Sequence, residues 1–329
     1  MSKIALVTGG AGFIGSHLVE ALLEQGISVR VLDDLAGGKK EHLKSALQSS
    51  LCTFHQVDIS NYSVLAPHFT DVDWVFHLAA LADIVPSIQN PLRYCQANVQ
   101  GTSSVVEAAR QAGVKRFVYT ASSSCYGLAT ILPTPESASI HPMYPYAFSK
   151  YQGEQIVMHW NQVYGLPAVS LRLFNVYGPR ARTSGNYGAV FGVFLRQLLE
   201  GKPLTVVGDG KQTRDFTFVS DVVNALILAA QSDLDGEIMN VGSGGTYSVN
   251  ELVDLLGADS ISIPKRPGEP DCTFADTTRI RQLLGWKPKV SFSEGVSIMK
   301  NCIEDWREAP LWDVDSIAKA TEDWFSYLS

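Results

Sequence analysis

The chain has 329 residues, 46% of them hydrophobic and 18% charged, which suits one large α/β unit with a smaller lobe. Its net charge of −7 excludes the broad basic face that nucleic acids and anionic membranes require, although a few arginines suffice for a phosphate-bearing ligand. Its five cysteines contain no CxxC pair, and no segment reaches about 18 apolar residues, so we expect a cytoplasmic protein without disulfides, metal or membrane spans.

Short β-branched strands alternate with helical segments through about the first two-thirds of the chain. The predicted strands are 3–8, 28–32, 52–57, 74–78, 116–121 and 168–173, and the predicted helices between them are 15–25, 94–112 and 146–164. Hydrophobicity within these strands is nearly continuous, which is typical of strands that are covered on both faces. The alternation therefore predicts a parallel sheet wrapped by helices.

A second lobe is predicted after about residue 176, where the pattern loosens. Glycine, asparagine, proline and arginine collect at 178–188, and a return strand at 238–241 is expected to rejoin the main sheet. We predict a dinucleotide-binding domain from 1–179 plus about 236–257, and a substrate-binding lobe from about 180–235 and 258–329. The region from Trp306 to Trp324 carries no recognised motif, so it is interpreted as a packing tail.

A glycine-rich turn joins the first strand to the first helix. Gly9 permits the tight turn, Gly12 lets the backbone approach a pyrophosphate at the helix N-terminus, and Gly15 allows close packing of helix on strand. Asp33 follows Gly15 by 18 residues, at the end of the second strand. A carboxylate there accepts hydrogen bonds from the adenine ribose and repels a 2′-phosphate, so NAD is favoured over NADP. Asp58, after the third strand, is placed to reach the adenine, and the alternative is a surface turn residue.

A second constellation combines a serine-rich strand end with a YxxxK pair. The segment 120–127 reads Thr-Ala-Ser-Ser-Ser-Cys-Tyr-Gly, and Tyr146 and Lys150 open a helix about twenty residues later. Tyrosine and lysine at i and i+4 lie on one helix face, one turn apart. A nearby ammonium and an oxidised nicotinamide are expected to lower the pKa of the phenol, which makes Tyr146 a candidate general base. His77 lies in an apolar strand and is predicted to be a core histidine.

With these motifs in place, the sequence resembles the extended short-chain dehydrogenase/reductases, and among them the UDP-hexose 4-epimerase branch. The matching segments are 8–15, 76–80, 98–102, 171–180, 208–216 and 284–286. The resemblance implies an α/β fold with a Rossmann-type doubly wound parallel sheet and a smaller α/β substrate-binding lobe. It also implies a set of NAD-binding residues: Gly9, Gly12, Phe13, Ile14, Gly15, Asp33, Asp58, Ile59, Ala79, Asn98, Tyr146 and Lys150.

The same resemblance implies roles for the reacting groups and for the substrate side. Tyr146 would remove a proton from a sugar hydroxyl, Lys150 would hold the nicotinamide ribose, and Ser122 would hydrogen-bond the reacting hydroxyl, with Ser124 as a second contact. The implied ligands of the nucleotide sugar are Ser122, Asn175, Arg214, Arg266, Glu269 and Thr273. Arginine suits the phosphate side because its planar fork pairs bidentately with phosphate oxygens. Glu269 stands at the position of a carboxylate on the nucleotide ribose.

The reaction that these residues favour is oxidation and reduction at a single carbon. The segment 120–127 lacks the carboxylates that the resemblance associates with 4,6-dehydratases and decarboxylases, and Cys125 does not match the cysteine of NADPH-dependent reductases. We therefore predict a nucleotide-sugar 4-epimerase. A decarboxylase, 4,6-dehydratase or reductase remains the alternative enzyme, and a non-catalytic dinucleotide sensor is disfavoured by the Tyr146, Lys150 and Ser122 set.

Two further properties follow from the resemblance. Thr273 occupies a gate beside the C2 substituent of the sugar, where tyrosine would restrict the pocket to plain hexoses. The smaller threonine predicts that UDP-GlcNAc and UDP-GalNAc are substrates, with UDP-Glc and UDP-Gal as further candidates. A homodimer is also implied, in which the helices at 94–112 and 146–164 pair with their copies. The apolar residues Val105, Val106, Ile156 and Val157 on more than one helix face are consistent with that pairing.

Overall fold

A seven-stranded parallel sheet forms the centre of the computed structural model, which describes residues 3–181 and 189–328. The strands of the described ranges are β1 (Ile4–Thr8), β2 (Ser28–Asp33), β3 (Cys52–Gln56), β4 (Trp74–His77), β5 (Arg116–Ser122), β6 (Ala168–Leu173), β7 (Val176–Tyr177), β8 (Leu204–Val207), β9 (Thr213–Arg214), β10 (Thr217–Phe218), β11 (Glu237–Val241), β12 (Tyr247–Ser248) and β13 (Ser260–Ile263).

Helices cover this sheet and build the second lobe. They are α1 (Phe13–Glu24), α2 (Tyr62–Leu65), α3 (Ile84–Gln89), α4 (Pro91–Tyr94), α5 (Gly101–Ala112), α6 (Pro145–Tyr164), α7 (Val190–Leu199), α8 (Val219–Gln231), α9 (Val249–Leu256), α10 (Thr278–Leu284), α11 (Phe292–Asn301), α12 (Val314–Ala320) and α13 (Glu322–Leu328). Helix α6 begins with Pro145, whose missing N–H would have no partner in the first helical turn. It ends at Tyr164 and is capped by Gly165, which has φ of 67°.

The strand order of the large sheet is β11-β6-β5-β4-β1-β2-β3, and every neighbouring pair is parallel. The chain moves outward from β1 to one edge and then from β4 to the other, so the order reverses between β1 and β4. Ligands of such sheets bind at the carboxyl ends of the strands beside this reversal. The predicted doubly wound sheet is confirmed, and the predicted return strand is β11, which pairs with β6.

Apolar side chains fill both faces of the sheet. In β1, Ala5 and Val7 belong to the core under α1 and α8, whereas Leu6 belongs to the core under α5 and α6. Two-sided burial explains why the strands are apolar throughout. Val105, Val106 and Val157 are completely buried in the second of these cores. They therefore fill the protomer's own interior, and the expectation that they belong to an exposed dimer face is wrong.

The predicted helix at 94–112 differs from the observed one. Instead of one regular helix, α4 passes into a π-helical turn over Cys95–Gln100 before α5 begins. A π turn adds a residue to one helical turn, and such bulges are frequent at functional sites. The apolar spacing used for the prediction did not reveal the extra residue. The turn carries Asn98, whose side chain is buried and fully engaged in hydrogen bonds, as described below.

The second lobe is built around a cluster of aromatic rings. Tyr177 stacks on Phe191 with 4.6 Å between ring centroids, and Phe216 stacks on Phe292 at 5.1 Å. The buried carboxylate of Asp215 accepts hydrogen bonds from the backbone of residues 243 and 275, and so joins three loops. Trp306 is fully buried in this core and Trp324 is 6% exposed, which is consistent with the predicted packing role of that region. Residues 182–188, part of the predicted glycine-rich loop, lie outside the described residues.

Three further expectations concern membranes, metals and thiols. Within the described ranges, no helix has the length and apolarity to cross a membrane. Residues 3–181 and 189–328 also contain no cluster of three or more histidine, cysteine, aspartate or glutamate side chains that is arranged to hold a metal ion. The five cysteines are all free thiols.

Candidate active site

The glycine-rich turn lies at the carboxyl end of β1 and leads directly into α1. Gly9 has φ of 71°, in the left-handed region that favours glycine, and a Cβ there would lie 2.7 Å from the backbone nitrogen of Ala79. A Cβ on Gly15 would lie 2.2 Å from the carbonyl oxygen of Gly9. A Cβ on Gly12 would make one close contact, with that same carbonyl at 3.1 Å, and would have open space on its other sides. Gly9 and Gly15 are thus needed by the fold, and Gly12 leaves room for a ligand.

The N-terminus of α1 presents its backbone N–H groups without a competing side chain. Gly12 is the N-cap residue and offers no side-chain hydrogen bond, and no acidic residue lies in the first turn. Unpaired N–H groups and the positive end of the helix dipole attract anions. Phe13 and Ile14 begin the helix and direct their side chains into the core of the second lobe, so they also join the two parts of the molecule.

Asp33 lies at the end of β2, next to the glycine-rich turn. One carboxylate oxygen accepts the N–H of Ala11 at 3.0 Å and the other accepts that of Leu35 at 2.8 Å. Burial raises the pKa of Asp33, while these two hydrogen bonds lower it. Each oxygen keeps a lone pair, so the carboxylate can still accept hydroxyl groups.

The other predicted cofactor residues take different positions. Asp58 is exposed and accepts the N–H of Ser60 at 2.8 Å, whereas Ile59 is buried and packs beneath Gly101. Ala79 follows β4 and donates its N–H to the hydroxyl of Thr8 at 3.3 Å. The structure therefore places Ala79 beside the glycine-rich turn, and it places Asp58 in a surface turn.

Asn98 connects two segments of the site. Its amide nitrogen donates to the Leu81 carbonyl and to the Ser149 hydroxyl, both at 2.9 Å, and its oxygen accepts the Leu81 N–H at 2.8 Å. The Ser149 hydroxyl in turn donates to the Tyr146 carbonyl at 2.9 Å. Asn98 thereby fixes the loop after β4 against the first turn of α6. Ser149 was not predicted, because the sequence did not reveal the π-helical turn that places Asn98 against it.

The predicted catalytic hydroxyls lie together at the end of β5. The phenol of Tyr146 donates to the Ser122 hydroxyl across 3.4 Å, and the Ser122 and Ser124 hydroxyls are 2.8 Å apart. Ser122 also accepts the N–H of Ser124 at 3.2 Å, which holds its side chain at the start of a short 3₁₀ turn. The end of β5 and the first turn of α6 thus bring a phenol and two hydroxyls close together. A substrate hydroxyl that binds there can exchange a proton with Tyr146.

Lys150 lies one turn along α6 from Tyr146, packed against β5. Its ammonium is 4.4 Å from the centroid of the Tyr119 ring, and its carbonyl accepts the Tyr119 hydroxyl at 3.1 Å. Helix α6 approaches β5 closely because Gly153 has no side chain, since a Cβ there would lie 2.4 Å from the Tyr119 hydroxyl. Gly153 was not among the predicted residues, although a glycine within a long helix is a signal of close packing.

Burial shifts the titration of Tyr146 and Lys150. Burial raises the pKa of Tyr146, against the hydrogen bond with Ser122, and the negative charge of Asp83 raises it further. Burial lowers the pKa of Lys150 to about 7. The prediction of a lowered tyrosine pKa includes the charge of an oxidised nicotinamide, so it stays a prediction for the cofactor-bound protein. Asp83, at the start of α3, was missed by the sequence analysis.

A buried ion pair lies beneath these residues. The Arg172 guanidinium of β6 contacts the Glu154 carboxylate of α6 at 2.6 Å, and both side chains are at most 4% exposed. Arg172 also donates to the Tyr126 hydroxyl at 2.9 Å. The pair anchors the catalytic helix to the sheet and to the end of the 3₁₀ turn. His77 is also buried and lies between the hydroxyls of Thr8 and Thr102, which confirms it as a core histidine.

The predicted nucleotide side lies in the second lobe. The Glu269 carboxylate is 2.7 Å from the Arg214 guanidinium and 3.8 Å from that of Arg266. Among the described residues, the Oε2 atom of Glu269 is buried without a hydrogen-bond partner. A cavity of about 230 Å³ opens beside it, lined by Val207, Gly208, Asp209, Lys211, Gln212, Lys265, Glu269, Pro270 and Asp271. Glu269 thus lines the cavity and is paired with two arginines, neither of which is part of the cavity lining.

Two predicted substrate residues contact each other directly. The Thr273 hydroxyl donates to the Asn175 side-chain oxygen at 2.7 Å and accepts the Asp215 N–H at 3.1 Å. Asn175 is exposed and follows β6, so this contact joins the sheet to the second lobe. The site is therefore assembled from three groups: the glycine-rich turn with Asp33, the hydroxyls around Tyr146, and the arginine cluster of the second lobe.

Several known proteins are similar to this chain. A sequence profile of the NAD dependent epimerase/dehydratase family matches residues 5–242. The UDP-glucose 4-epimerase of Mycolicibacterium smegmatis is 39% identical over 303 residues, which cover 89% of this chain and 96% of the relative. The structure of a UDP-N-acetylglucosamine 4-epimerase from Methanobrevibacter ruminantium, in complex with UDP-N-acetylmuramic acid, is 33% identical with a TM-score of 0.87, over 92% of this chain and 99% of that one.

A third similar protein differs in its sugar. The UDP-glucuronic acid 4-epimerase of Bacillus cereus, solved with UDP-glucuronic acid and NAD, is 32% identical with a TM-score of 0.86. The matched region covers 92% of this chain and 99% of that one. The similarity therefore extends over nearly the whole molecule, while the sugars of the similar proteins vary.

Proposed function

This chain belongs to the NAD dependent epimerase/dehydratase family, and from that membership we propose that it inverts C4 of a UDP-linked hexose with NAD as its cofactor. The observation that carries the proposal is the Tyr146–Ser122 hydrogen bond of 3.4 Å in a segment, 120–127, without a carboxylate. Oxidation and reduction at one carbon needs a group that exchanges the hydroxyl proton, whereas elimination needs a further acid and base.

The glycine-rich turn fits a dinucleotide. The open space at Gly12, the unpaired N–H groups of α1 and the lone pairs of Asp33 match a pyrophosphate and a ribose diol, respectively. When bound, NAD would accept a hydride from the sugar carbon, and its oxidised nicotinamide would carry a positive charge that favours the Tyr146 phenolate. We propose that Lys150 and Asp33 hold the two ribose units.

The proton is handled by the hydroxyls at the end of β5. In the proposed cycle, Tyr146 accepts the proton of the C4 hydroxyl while Ser122 hydrogen-bonds the same oxygen, and Ser124 supports Ser122. Loss of this proton, together with transfer of the C4 hydride to the bound cofactor, would give a 4-keto sugar. This sugar would turn about its bonds to the diphosphate and take the hydride back on its other face. Tyr146 then returns the proton to the re-formed hydroxyl, so the residues end the cycle in their original state.

The arginine cluster supports a nucleoside diphosphate as the carrier. Arg214 and Arg266 supply two guanidinium groups, and the Oε2 atom of Glu269 is a buried acceptor that a ribose hydroxyl would satisfy. Unsatisfied buried acceptors are costly, which favours a ligand that donates a hydrogen bond there. The cavity of about 230 Å³ beside Glu269 leaves space for the base.

The sugar is proposed to include 2-acetamido hexoses. Thr273 is small, which favours UDP-GlcNAc and UDP-GalNAc, with UDP-Glc and UDP-Gal as further substrates.

Product analysis tests the proposal. Purified protein is incubated with UDP-GlcNAc, UDP-Glc and UDP-glucuronate without added NAD, and the products are separated by chromatography. We expect C4 epimers of the neutral sugars, because the hydride and the proton both return and the bound cofactor is not consumed. Release of CO₂ from UDP-glucuronate would favour a decarboxylase, and a need for stoichiometric NADPH would favour a reductase. Absence of any turnover would favour a dinucleotide sensor.

A homodimer is proposed from the family resemblance and from exposed apolar side chains. Phe148 and Val163 of α6 are 50% and 53% exposed, and Leu92 of α4, which contacts α6, is 83% exposed. Large exposed apolar groups on adjoining helices often mark an interface. Light scattering at micromolar concentration should give the mass of two chains, and a mass of one chain would exclude the dimer.

The five free thiols are consistent with a reducing compartment, the cytoplasm.

A further inference from the structure

The C-terminal helix α13 lies against the nucleotide side of the site. Its Trp324 is 6% exposed and donates its indole N–H to the Pro267 carbonyl at 2.7 Å. The Arg266 guanidinium lies 5.5 Å from the centroid of the same ring. The Trp324 side chain therefore fixes the backbone of the 266–269 loop, and the face of its ring lies against the Arg266 guanidinium. A cation over an indole face is attracted by the ring quadrupole.

Trp324 also reaches the other end of the site. Its ring lies 6.4 Å from that of Tyr144, which stacks on the ring of Tyr146 at 6.2 Å with an interplanar angle of 12°. A continuous row of rings thus runs from the 266–269 loop to the proposed general base. Trp324 and Tyr144 therefore link the loop of Arg266 to the ring of Tyr146.

A second contact holds α13 in place from the side of the large domain. Asp323 accepts a hydrogen bond from the Gln89 amide at 2.7 Å, and α13 packs against α3. Helix α3 begins directly after Asp83, in the loop that follows β4. The C-terminal helix is therefore attached to both parts of the molecule that form the site.

We propose that α13 is a fixed cover on the nucleotide-sugar site and that Trp324 is a positioning residue, which orients Arg266 toward the diphosphate. The inference rests on the proposed function, since it takes a nucleoside diphosphate as the ligand. Arginine side chains have many rotamers, and a ring that restricts them before binding reduces the entropy lost when phosphate binds. This assigns a ligand-binding role to a segment whose sequence showed no motif.

Calorimetric titration of the purified holoenzyme with UDP tests the assignment. We expect Trp324→Ala to weaken UDP binding about tenfold, because an indole–guanidinium contact and a loop hydrogen bond are both lost. Trp324→Phe keeps a ring but loses the indole N–H, and should weaken binding about threefold. Tyr327→Ala is the matched control on the same helix, where the side chain is 71% exposed, and UDP affinity should not change.

A double-mutant cycle separates positioning from a structural role. If Trp324 acts through Arg266, then Trp324→Ala should have no further effect on UDP affinity in an Arg266→Ala background, whereas independent structural damage would add to it. Unchanged affinity in Trp324→Ala, or additive losses in the cycle, would overturn the inference. If Trp324→Ala fails to fold, the same cycle with Trp324→Phe decides. Failure of the wild-type protein to bind UDP would instead contradict the proposed function.

Discussion

The Thr273 hydroxyl donates a hydrogen bond to the side-chain oxygen of Asn175, with 2.7 Å between the two oxygen atoms. The same hydroxyl accepts the backbone N–H of Asp215 at 3.1 Å. Thr273 is therefore held in one orientation, and it orients an exposed asparagine that is proposed to bind the substrate. A residue at this position influences both the space available to the sugar and the direction of Asn175.

We expect Thr273→Tyr to suppress turnover of UDP-GlcNAc and UDP-GalNAc by ~10–200-fold while sparing UDP-Glc and UDP-Gal. The larger ring would fill the space for the acetamido group, and overfilling a packed site costs about 1–3 kcal/mol. Steady-state kinetics with the four sugars measures the ratio. Thr273→Val is the control, because it keeps the volume but loses the hydrogen bonds, and it should lower all four activities alike. Acetamido activity that persists in the tyrosine variant would refute the gate.

We expect Tyr146→Phe to lower turnover by ~10²–10⁴-fold with little change in UDP affinity, since it removes the proposed general base but keeps the ring. Tyr144→Phe is the matched control, because Tyr144 stacks on Tyr146 but is not in the proposed proton path. It should stay within a few-fold of wild type. Initial rates and calorimetry with UDP give the two quantities, and wild-type turnover in Tyr146→Phe would remove Tyr146 from the mechanism.

An added methyl group is expected to act differently at Gly12 and at Gly15. A Cβ on Gly12 has a single close neighbour, the Gly9 carbonyl oxygen at 3.1 Å, so Gly12→Ala should lose less stability than Gly15→Ala. It should lose NAD affinity by about tenfold or more, because the methyl occupies the ligand's place. A Cβ on Gly15 would lie 2.2 Å from a backbone oxygen, so Gly15→Ala should lower the free energy of unfolding by about 1–3 kcal/mol. Bound NAD is measured by absorbance and stability by urea unfolding. Full NAD occupancy in Gly12→Ala would count against the dinucleotide site.

Lys150 predicts a dependence of stability on pH. Its pKa is lowered by burial to about 7, from 10.5 for an exposed lysine. Between these values the unfolded chain binds more protons than the folded one, so the penalty for burying the charge is fully present below pH 7 and disappears as the pH rises toward 10.5. Relative to Lys150→Met, the free energy of unfolding of wild type should rise by up to about 1.4 kcal/mol per pH unit in that window.

Urea unfolding at the two ends of the window measures this difference. Lys115→Met serves as the control, because the Lys115 side chain is 75% exposed, and its difference from wild type should not vary with pH there. A pH-independent difference for Lys150→Met would mean that Lys150 stays charged in the folded protein.

The parts of the molecule that depend on local sequence could be predicted. The strands of the large sheet need continuous apolar residues, and the turn at Gly9 and Gly15 needs glycine, so both left a clear pattern. Asp33 was found because its position is fixed relative to the glycines. Contacts between distant segments left no such pattern, which is why Asp83 and Trp324 were missed. The burial that raises the pKa of Tyr146 in the protein alone was also missed, because the sequence shows charged neighbours but not burial.

The position of β11 has a consequence for chimaeras made between members of this family. β11 pairs with β6 from Glu237 opposite Val169 to Val241 opposite Leu173, although the second lobe separates the two strands in sequence. A single crossover near residue 180 would therefore join β6 of one parent to β11 of the other inside one sheet. β6 is buried along its whole length, so a poor match would expose an apolar edge that favours aggregation. Exchange of substrate lobes between relatives thus requires crossovers on both sides of β11 in addition to the one near residue 180, so that β6 and β11 come from the same parent.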